Sequence, residues 1–328
     1  MTWLITGGAG FIGAHVVRAM EGAGEQVVVY DDLSTGDVSR VPDDVPFVKA
    51  STLDGDSLRR TLDEYQVTGV VHLAAKKQVA ESVARPLYYY EENVHGLRTL
   101  LRASADHGVR AFLFSSSAAV YGMPDVTLVT EDTPCAPINP YGETKLAGEW
   151  MVRATARAHG MATASLRYFN VAGAADVQLA DTGVFNLIPM VFEKLTQGEA
   201  PVIFGDDYAT EDGTCVRDFI HVVDIASAHL AAARALAARA PGTDLTVNIG
   251  RGEGVSVRQM IELIGEVTGY GPDARPVSAP RRPGDPARVV AAADRIHTEL
   301  GWSARHDARS MVASAWEGWC ARHPQARR

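Results

Sequence analysis

Tyr141 and Lys145 stand four residues apart at the head of a segment, 141–159, whose apolar residues recur with helical period. A helix there puts the phenol and the ammonium on one face. A phenol has an ordinary pKa of about 10 and is a poor base near neutrality. A fixed cation beside it stabilises the phenolate and lowers that value. Taken alone, a tyrosine and a lysine at this spacing are common surface residues. The run Ser115-Ser116-Ser117-Ala118-Ala119-Val120-Tyr121-Gly122 adds weight, because it ends an apolar strand. Doubly wound sheets place their ligand-contacting groups at such strand ends. A hydroxyl there, Ser117 above all, can hydrogen-bond to a substrate oxygen while a proton moves.

A second constellation lies at the start of the chain. Gly7-Gly8-Ala9-Gly10-Phe11-Ile12-Gly13 follows an apolar run and opens a helical one. Its glycines permit a tight turn and let backbone N–H groups approach a pyrophosphate at a helix N-terminus. Asp31 closes the next apolar run, at close to the expected spacing; it can accept hydrogen bonds from ribose hydroxyls and would repel a 2′-phosphate. The expected cofactor is therefore NAD, and its positively charged nicotinamide would lower the phenol pKa further.

The elements that position these residues alternate. Segments 3–6, 26–30, 69–73 and 111–115 read as buried strands; 11–22, 57–65, 89–107 and 141–159 read as helices between or after them. The fold class expected is α/β, a doubly wound parallel sheet of the Rossmann type. The pattern loosens after about residue 170, where loops such as 205–213 and 272–286 are rich in Gly, Pro and Asp. The division expected is a cofactor-binding domain over 1–170 and a smaller substrate-binding domain over 171–328.

Composition limits the partners. The 328 residues are 46% hydrophobic and 22% charged, with a net charge of −9, which disfavours nucleic acid. Cys135, Cys215 and Cys320 lack metal-ligand spacing and read as reduced thiols of a cytoplasmic protein, with no metal expected. The N-terminus lacks the basic region and apolar core of a signal peptide, and no stretch is apolar enough for a membrane helix. The alanine-rich stretch 226–240 is interrupted by His229, Arg234 and Arg239, as a surface helix would be.

Glycine turn, Asp31, strand-end serine and Tyr-x-x-x-Lys, in this order, resemble the extended short-chain dehydrogenase/reductase family. Further motifs resemble its UDP-galactose 4-epimerase branch: His72-Leu73-Ala74-Ala75-Lys76-Lys77 followed by Glu81-Ser82-Val83, then Leu166-Arg167-Tyr168-Phe169-Asn170. Later come Asp207-Tyr208, the block from Thr210 through Cys215-Val216-Arg217-Asp218 to Val222, and Pro280-Arg281-Arg282-Pro283-Gly284-Asp285. The resemblance spans nearly the whole chain, and the 210–222 block is its most specific part.

That resemblance implies a catalytic set of Ser117, Tyr141 and Lys145. It implies cofactor contacts from Gly7, Gly10, Phe11, Ile12, Gly13, Asp31, Thr52, Leu53, Leu73, Ala74, Ala75, Lys77, Asn93, Ser115, Tyr141, Lys145 and Tyr168. Lys77 would reach the phosphates, Lys145 the nicotinamide ribose, and Tyr168 the nicotinamide pocket. Around a nucleotide-sugar substrate it places Lys77, Ser117, Tyr141, Asn170, Asn186, Leu187, Phe204, Arg217, Arg282 and Asp285. Guanidinium groups suit a diphosphate because they form planar, charge-assisted hydrogen bonds. The position four residues past Asp285, Val289, corresponds to the one bordering C2 of the hexose, where a small residue admits an N-acetyl group. Two departures stand out. Thr52 replaces an acidic residue near the adenine, and Ala119 replaces a threonine facing the sugar. The activity implied is 4-epimerisation of a UDP-hexose through a 4-keto sugar. A 4,6-dehydratase on the same scaffold would need an Asp-Glu pair where Ala118-Ala119 stands, and a non-catalytic NAD sensor would not need Tyr141 with Lys145. The family often dimerises through the helices corresponding to 89–107 and 141–159, so a homodimer is expected.

Overall fold

The computed structural model describes residues 1–282 and 284–327, so Pro283 of the Pro280-to-Asp285 motif lies outside the described residues. Its strands are β1 (Thr2–Thr6), β2 (Gln26–Asp31), β3 (Phe47–Lys49), β4 (Gly69–His72), β5 (Ala111–Ser117), β6 (Ala162–Tyr168), β7 (Asn170–Ala172), β8 (Val202–Phe204), β9 (Val216–His221), β10 (Asp244–Ile249), β11 (Gly254–Ser256), β12 (Val277–Ala279) and β13 (Arg288–Val289). The helices are α1 (Phe11–Glu21), α2 (Gly55–Glu64), α3 (Val79–Ala84), α4 (Pro86–Tyr89), α5 (Gly96–His107), α6 (Pro140–His159), α7 (Leu187–Thr196), α8 (Val222–Ala238), α9 (Val257–Thr268), α10 (Asp294–Leu300) and α11 (Ala308–Arg322). None of the described helices is long and apolar enough to cross a membrane.

Seven parallel strands run in the order β10-β6-β5-β4-β1-β2-β3. Their side chains alternate between two faces, and both are covered. Trp3, Ile5, Val27, Val29, Val71 and Leu113 meet Val16, Val17 and Met20 of α1 and Ile225, Ala228 and Ala232 of α8. Leu4, Val28, Val70, Phe112 and Phe114 meet Leu58 and Leu62 of α2, Leu97, Leu100 and Leu101 of α5, and Val152 of α6. Burial on both faces explains why these strands read as continuous apolar runs. Each fully buried Val, Leu, Ile, Phe or Met among them contributes roughly 1.5–3 kcal/mol to the fold. A smaller lobe holds β7 and the β11-β9-β13 ribbon, a β8-β12 pair, and helices α7, α9 and α11 around Phe192, Ile261, Met311 and Trp319.

The structure departs from the sequence expectations in the large sheet and in the helices that cover it, where α8, expected as a surface helix, buries His229 completely. β10 and α8 lie beyond residue 170 yet complete the large sheet: β10 pairs in parallel with β6, and α8 packs on α1. A cut at 170 therefore divides the sheet, because smaller-lobe segments are inserted between β6 and its neighbour. β6 itself was not expected as a strand, since Ala162-Thr163-Ala164-Ser165 lacks a run of β-branched apolar residues. The helix expected over 89–107 is interrupted: α4 passes into a π-helical turn (Tyr90–His95) before α5 begins. The turn carries Asn93, whose side chain is drawn into bonds described below.

Candidate active site

A cleft of about 500 Å³ opens at the carboxyl ends of β1, β2, β4, β5 and β6. Gly7 follows β1 with φ +73°, and a Cβ there would stand 2.6 Å from the backbone N of Ala74. At Gly13 a Cβ would lie 2.0 Å from the Gly7 carbonyl oxygen. Only bare backbone allows β1, α1 and the 73–74 segment to approach this closely. Gly10 caps α1 without any side-chain hydrogen bond, leaving the helix N-terminus to a ligand.

Asp31 is oriented by two main-chain donors: Ala9 N–H reaches Oδ2 at 3.0 Å and Leu33 N–H reaches Oδ1 at 2.9 Å. Burial raises its pKa, and those two hydrogen bonds oppose the rise. The cleft is also lined by Thr52, Leu73, Ala74, Ala75, Lys77, Ser115, Tyr141, Lys145 and Tyr168, together with Phe11 and Ile12.

Two expected cofactor residues are not among those lining the cleft. Leu53 is absent from the lining, whereas Ala50 and Ser51 belong to it. Leu53 N–H donates to Ser51 Oγ, and its side chain stands near Gly96. The lining thus comes from residues just ahead of Leu53. Asn93 is likewise absent from the lining and is buried. It accepts from Lys76 N–H at 2.8 Å, donates to the Lys76 carbonyl at 3.0 Å, and donates to Thr144 Oγ1 at 3.0 Å. It fixes the lysine-bearing segment to α6.

Asn139 and Pro140 start α6; Asn139 Oδ1 accepts from Gly142 N–H at 2.9 Å, and Pro140 occupies the first turn. Tyr141 and Lys145 are thereby fixed on one face, with Nζ 5.9 Å from the phenol ring centre. Lys145 is 4% exposed and donates to the Ser115 carbonyl at 2.8 Å. Burial brings its pKa down to about 8. Burial raises that of Tyr141, and a hydrogen bond with the Ser117 side chain opposes the rise. Ser117 ends β5 and also caps the 3-10 turn Ala118–Tyr121, its Oγ accepting from Ala119 N–H at 3.2 Å.

Ser116 faces the opposite way and donates to Glu149 Oε1 at 2.5 Å. The same carboxylate receives Arg167 through Nε at 2.8 Å and Nη2 at 2.7 Å, and Arg167 Nη1 donates to the Tyr121 hydroxyl. This buried network ties the strand end that carries Ser117 to the helix that carries Tyr141. Tyr168 closes β6 and donates to His229 Nε2 at 2.6 Å; that tautomer follows because His229 Nδ1 donates to the Ile225 carbonyl at 2.8 Å.

A second group of residues stands in the smaller lobe, outside the lining of the cleft. Arg217, on β9, pairs with Asp285 at 2.8 Å. The Arg282 guanidinium lies over the Phe204 ring, 3.7 Å from its centre. Asn170 begins β7, Asn186 caps α7, and Leu187 is its first residue. Val289, opposite Arg217 in the β13–β9 pairing, packs among Val120, Tyr121, Val129, Leu146 and Phe169. It therefore sits beside the turn that follows Ser117.

Sequence reasoning missed Arg40 and the segment 181–185, which also line the cleft. No short-range spacing links them: Arg40 Nη2 donates to the Ala180 carbonyl, 140 residues on. Tyr30, Asp32, Ser34 and Lys76 were missed at the same end, where Lys76 Nζ donates to Ser34 Oγ at 2.7 Å.

Residues 3–250 match the model of the NAD dependent epimerase/dehydratase family. The UDP-glucose 4-epimerase of Halalkalibacterium halodurans is 42% identical to this chain over 99% of it and 97% of the relative. Among solved structures, UDP-glucose-4-epimerase from Stenotrophomonas maltophila, with bound NAD and formylated UDP-arabinopyranose, superposes with a TM-score of 0.93 at 37% identity, covering 99% of both chains. The UDP-Glc/GlcNAc 4-epimerase from Campylobacter jejuni is 37% identical with a TM-score of 0.85, over 97% of this chain and 99% of that one.

Proposed function

The chain belongs to the NAD dependent epimerase/dehydratase family, and from that premise we propose that it is an isomerase interconverting UDP-glucose and UDP-galactose through a transient 4-keto sugar. The observation that carries this reading is a cleft lined at one end by Tyr141 and Lys145, with the Ser117 side chain hydrogen-bonded to Tyr141, and at the other by a glycine cradle with an oriented aspartate. That cleft suits NAD. The space above Gly7 and Gly13 admits only backbone, α1 offers uncapped N–H groups to a diphosphate, and Asp31 disfavours a 2′-phosphate. When bound, NAD supplies a reversible hydride acceptor at the sugar carbon.

Tyr141, as phenolate, takes the proton from the sugar 4-hydroxyl, and Ser117 hydrogen-bonds to the reacting oxygen and relays the proton. Lys145 keeps an ammonium beside the phenol and in reach of the nicotinamide ribose, because the Ser115 carbonyl fixes its direction. Lys77 and Tyr168 line the same cleft, where Lys77 would hold the cofactor phosphates and Tyr168 would pack at the nicotinamide. Arg217 and Arg282, each already held by a neighbour, anchor the substrate diphosphate while the keto sugar turns over. Asn170, Asn186, Leu187 and Phe204 surround the nucleotide. Val289 leaves room beside C2, so the N-acetylated sugars are substrates as well. Once the keto sugar has turned over, Tyr141 returns the proton to the 4-oxygen, and the bound cofactor would return the hydride to the opposite face, giving the epimer.

The test is to incubate purified protein with UDP-glucose, UDP-galactose and their N-acetylated counterparts, with products read by NMR. Inversion at C4 is expected; a 4-keto-6-deoxy product, or none from any of the four, overturns the reading. We further place the enzyme in the cytoplasm as a homodimer. Leu87 of α4 and Trp150 of α6, 82% and 59% exposed, offer apolar surface for helix pairing. Light scattering at the mass of one chain would remove the dimer.

A further inference from the structure

Arg40 is a buried cation that the chemistry above does not use. It closes the 3-10 turn Val38–Arg40 after β2, is 4% exposed, and lines the cofactor cleft. Nη2 donates to the Ala180 carbonyl at 2.9 Å and to Thr182 Oγ1 at 3.5 Å. Both acceptors are neutral. A guanidinium taken out of water needs more compensation than that. Asp37 lies within electrostatic reach but forms no ion pair with it among the described residues. A bound anion of the kind the cleft is built to receive would supply the closer counter-charge. Arg40 lies within electrostatic reach of His15, on the first turns of α1, and of Arg322 on α11. It is therefore near the helix N-terminus that faces a cofactor diphosphate.

Its acceptors belong to the segment 180–186, and Asp181, Thr182, Gly183 and Phe185 of that segment line the same cleft. The base of the segment is firm. Leu179 and Ala180 are buried, and Ala180 packs so tightly on α11 that a Cβ at Gly318 would lie 2.2 Å from its methyl. Arg322 Nη2 donates to the Asp181 carbonyl at 2.6 Å, and Ala175 N–H donates to His15 Nε2 at 3.0 Å. The far end runs into Asn186, the cap of α7. Phe185, 60% exposed, stands at the cleft with its ring uncovered.

We propose that Arg40 is a cofactor-retaining residue: its guanidinium supplies counter-charge beside the bound diphosphate while its hydrogen bonds to Ala180 and Thr182 hold the segment 180–186 across the cleft. NAD then leaves only when this latch opens. Because Asn186 lies at the far end of the segment, a nucleotide sugar that orders it slows cofactor release, and NAD reciprocally tightens the sugar nucleotide. The proposal rests on the assignment of the cleft to NAD.

The experiment measures cofactor rather than turnover. Wild type, Arg40→Lys and Arg40→Met are purified without added cofactor, and NAD content is read after denaturation. Release is then followed by trapping freed NAD with an auxiliary dehydrogenase. Arg40→Met should release NAD about 10- to 100-fold faster, as expected on losing charge-assisted hydrogen bonds. Arg40→Lys should fall between, keeping the charge but not the fork. UDP should slow release in wild type and lose that effect in Arg40→Met. Release from Arg40→Met within twofold of wild type overturns the latch. A wild type that never holds NAD overturns the cofactor assignment instead. If Arg40→Met does not fold, by far-UV circular dichroism, Arg322→Met at an exposed position carries the same expectation. Unchanged release from it likewise overturns the latch.

Discussion

Moving the folded protein from pH 7.5 to pH 5.5 should remove a large part of its stability, because four histidines are buried as neutral rings. Burial brings His15, His221 and His229 down to about 4 and His72 to about 3. Their bonds require the neutral form. His15 Nε2 accepts from Ala175 N–H, His221 Nδ1 accepts from Val223 N–H, and His229 Nε2 accepts from Tyr168. The unfolded chain takes up protons near pH 6.5, before the folded one does. Stability from these residues is therefore complete above about 6.5 and is lost as pH falls towards 4. At pH 5.5 each ring costs on the order of 1 kcal/mol, and the four together roughly 4–5 kcal/mol. Asp218 acts in the opposite sense: burial lifts its carboxyl to about 6, so its folded form gains protons first and returns about 1 kcal/mol over the same interval. The histidines prevail, leaving a net loss of about 3–4 kcal/mol against a total of about 5–15. Urea unfolding followed by tryptophan fluorescence at both pH values, with NAD saturating throughout, measures the difference. Equal stability at the two pH values would refute the assignment of these rings as buried and neutral. His72→Asn should shrink the pH dependence by about a quarter.

Tyr141→Phe is expected to reduce kcat by about 10²–10⁴-fold while nucleotide-sugar binding, read by calorimetry, stays near that of the parent. A variant near full rate would dismiss Tyr141 as the base. Lys145→Ala should lose at least as much and hold NAD more weakly, since one ammonium serves both the phenol and the ribose; unchanged NAD content would argue against the second role. Gly13→Ala should purify without NAD, because the new Cβ meets the Gly7 carbonyl at 2.0 Å; a fully loaded protein would show that the glycine turn does not form the cradle. Val289→Tyr should suppress turnover of UDP-N-acetylgalactosamine and spare UDP-galactose, measured by NMR on both substrates. Equal loss on both would assign Val289 to packing alone.

Legibility from sequence followed the range over which the physics acts. Tyr141 and Lys145 share a face by helical period, and the turn at Gly7 to Gly13 needs only neighbours in the chain, so both were readable locally. Asp31 was readable because a strand end has one direction to point. Leu53 is absent from the cleft lining although Ala50, Ser51 and Thr52 line it, and no periodicity marks the local turn in which Leu53 N–H donates to Ser51 Oγ. Asn93 lay on an expected helix, but its amide spends its bonds on Lys76 and Thr144, through a π-helical turn that residue spacing does not announce. β10 and α8 escaped assignment to the large sheet because the smaller lobe is interposed in sequence, and pairing of β10 with β6 is settled only by three-dimensional closure of the core. Arg40 is the extreme case. By composition it is a surface cation; it becomes a buried donor only because a carbonyl 140 residues away is brought to it by α11 packing against Ala180. Residues that do chemistry on one helix or strand end are thus announced by their neighbours. Arg40 and the segment 180–186, which meet only through tertiary packing, are announced by nothing in their own vicinity.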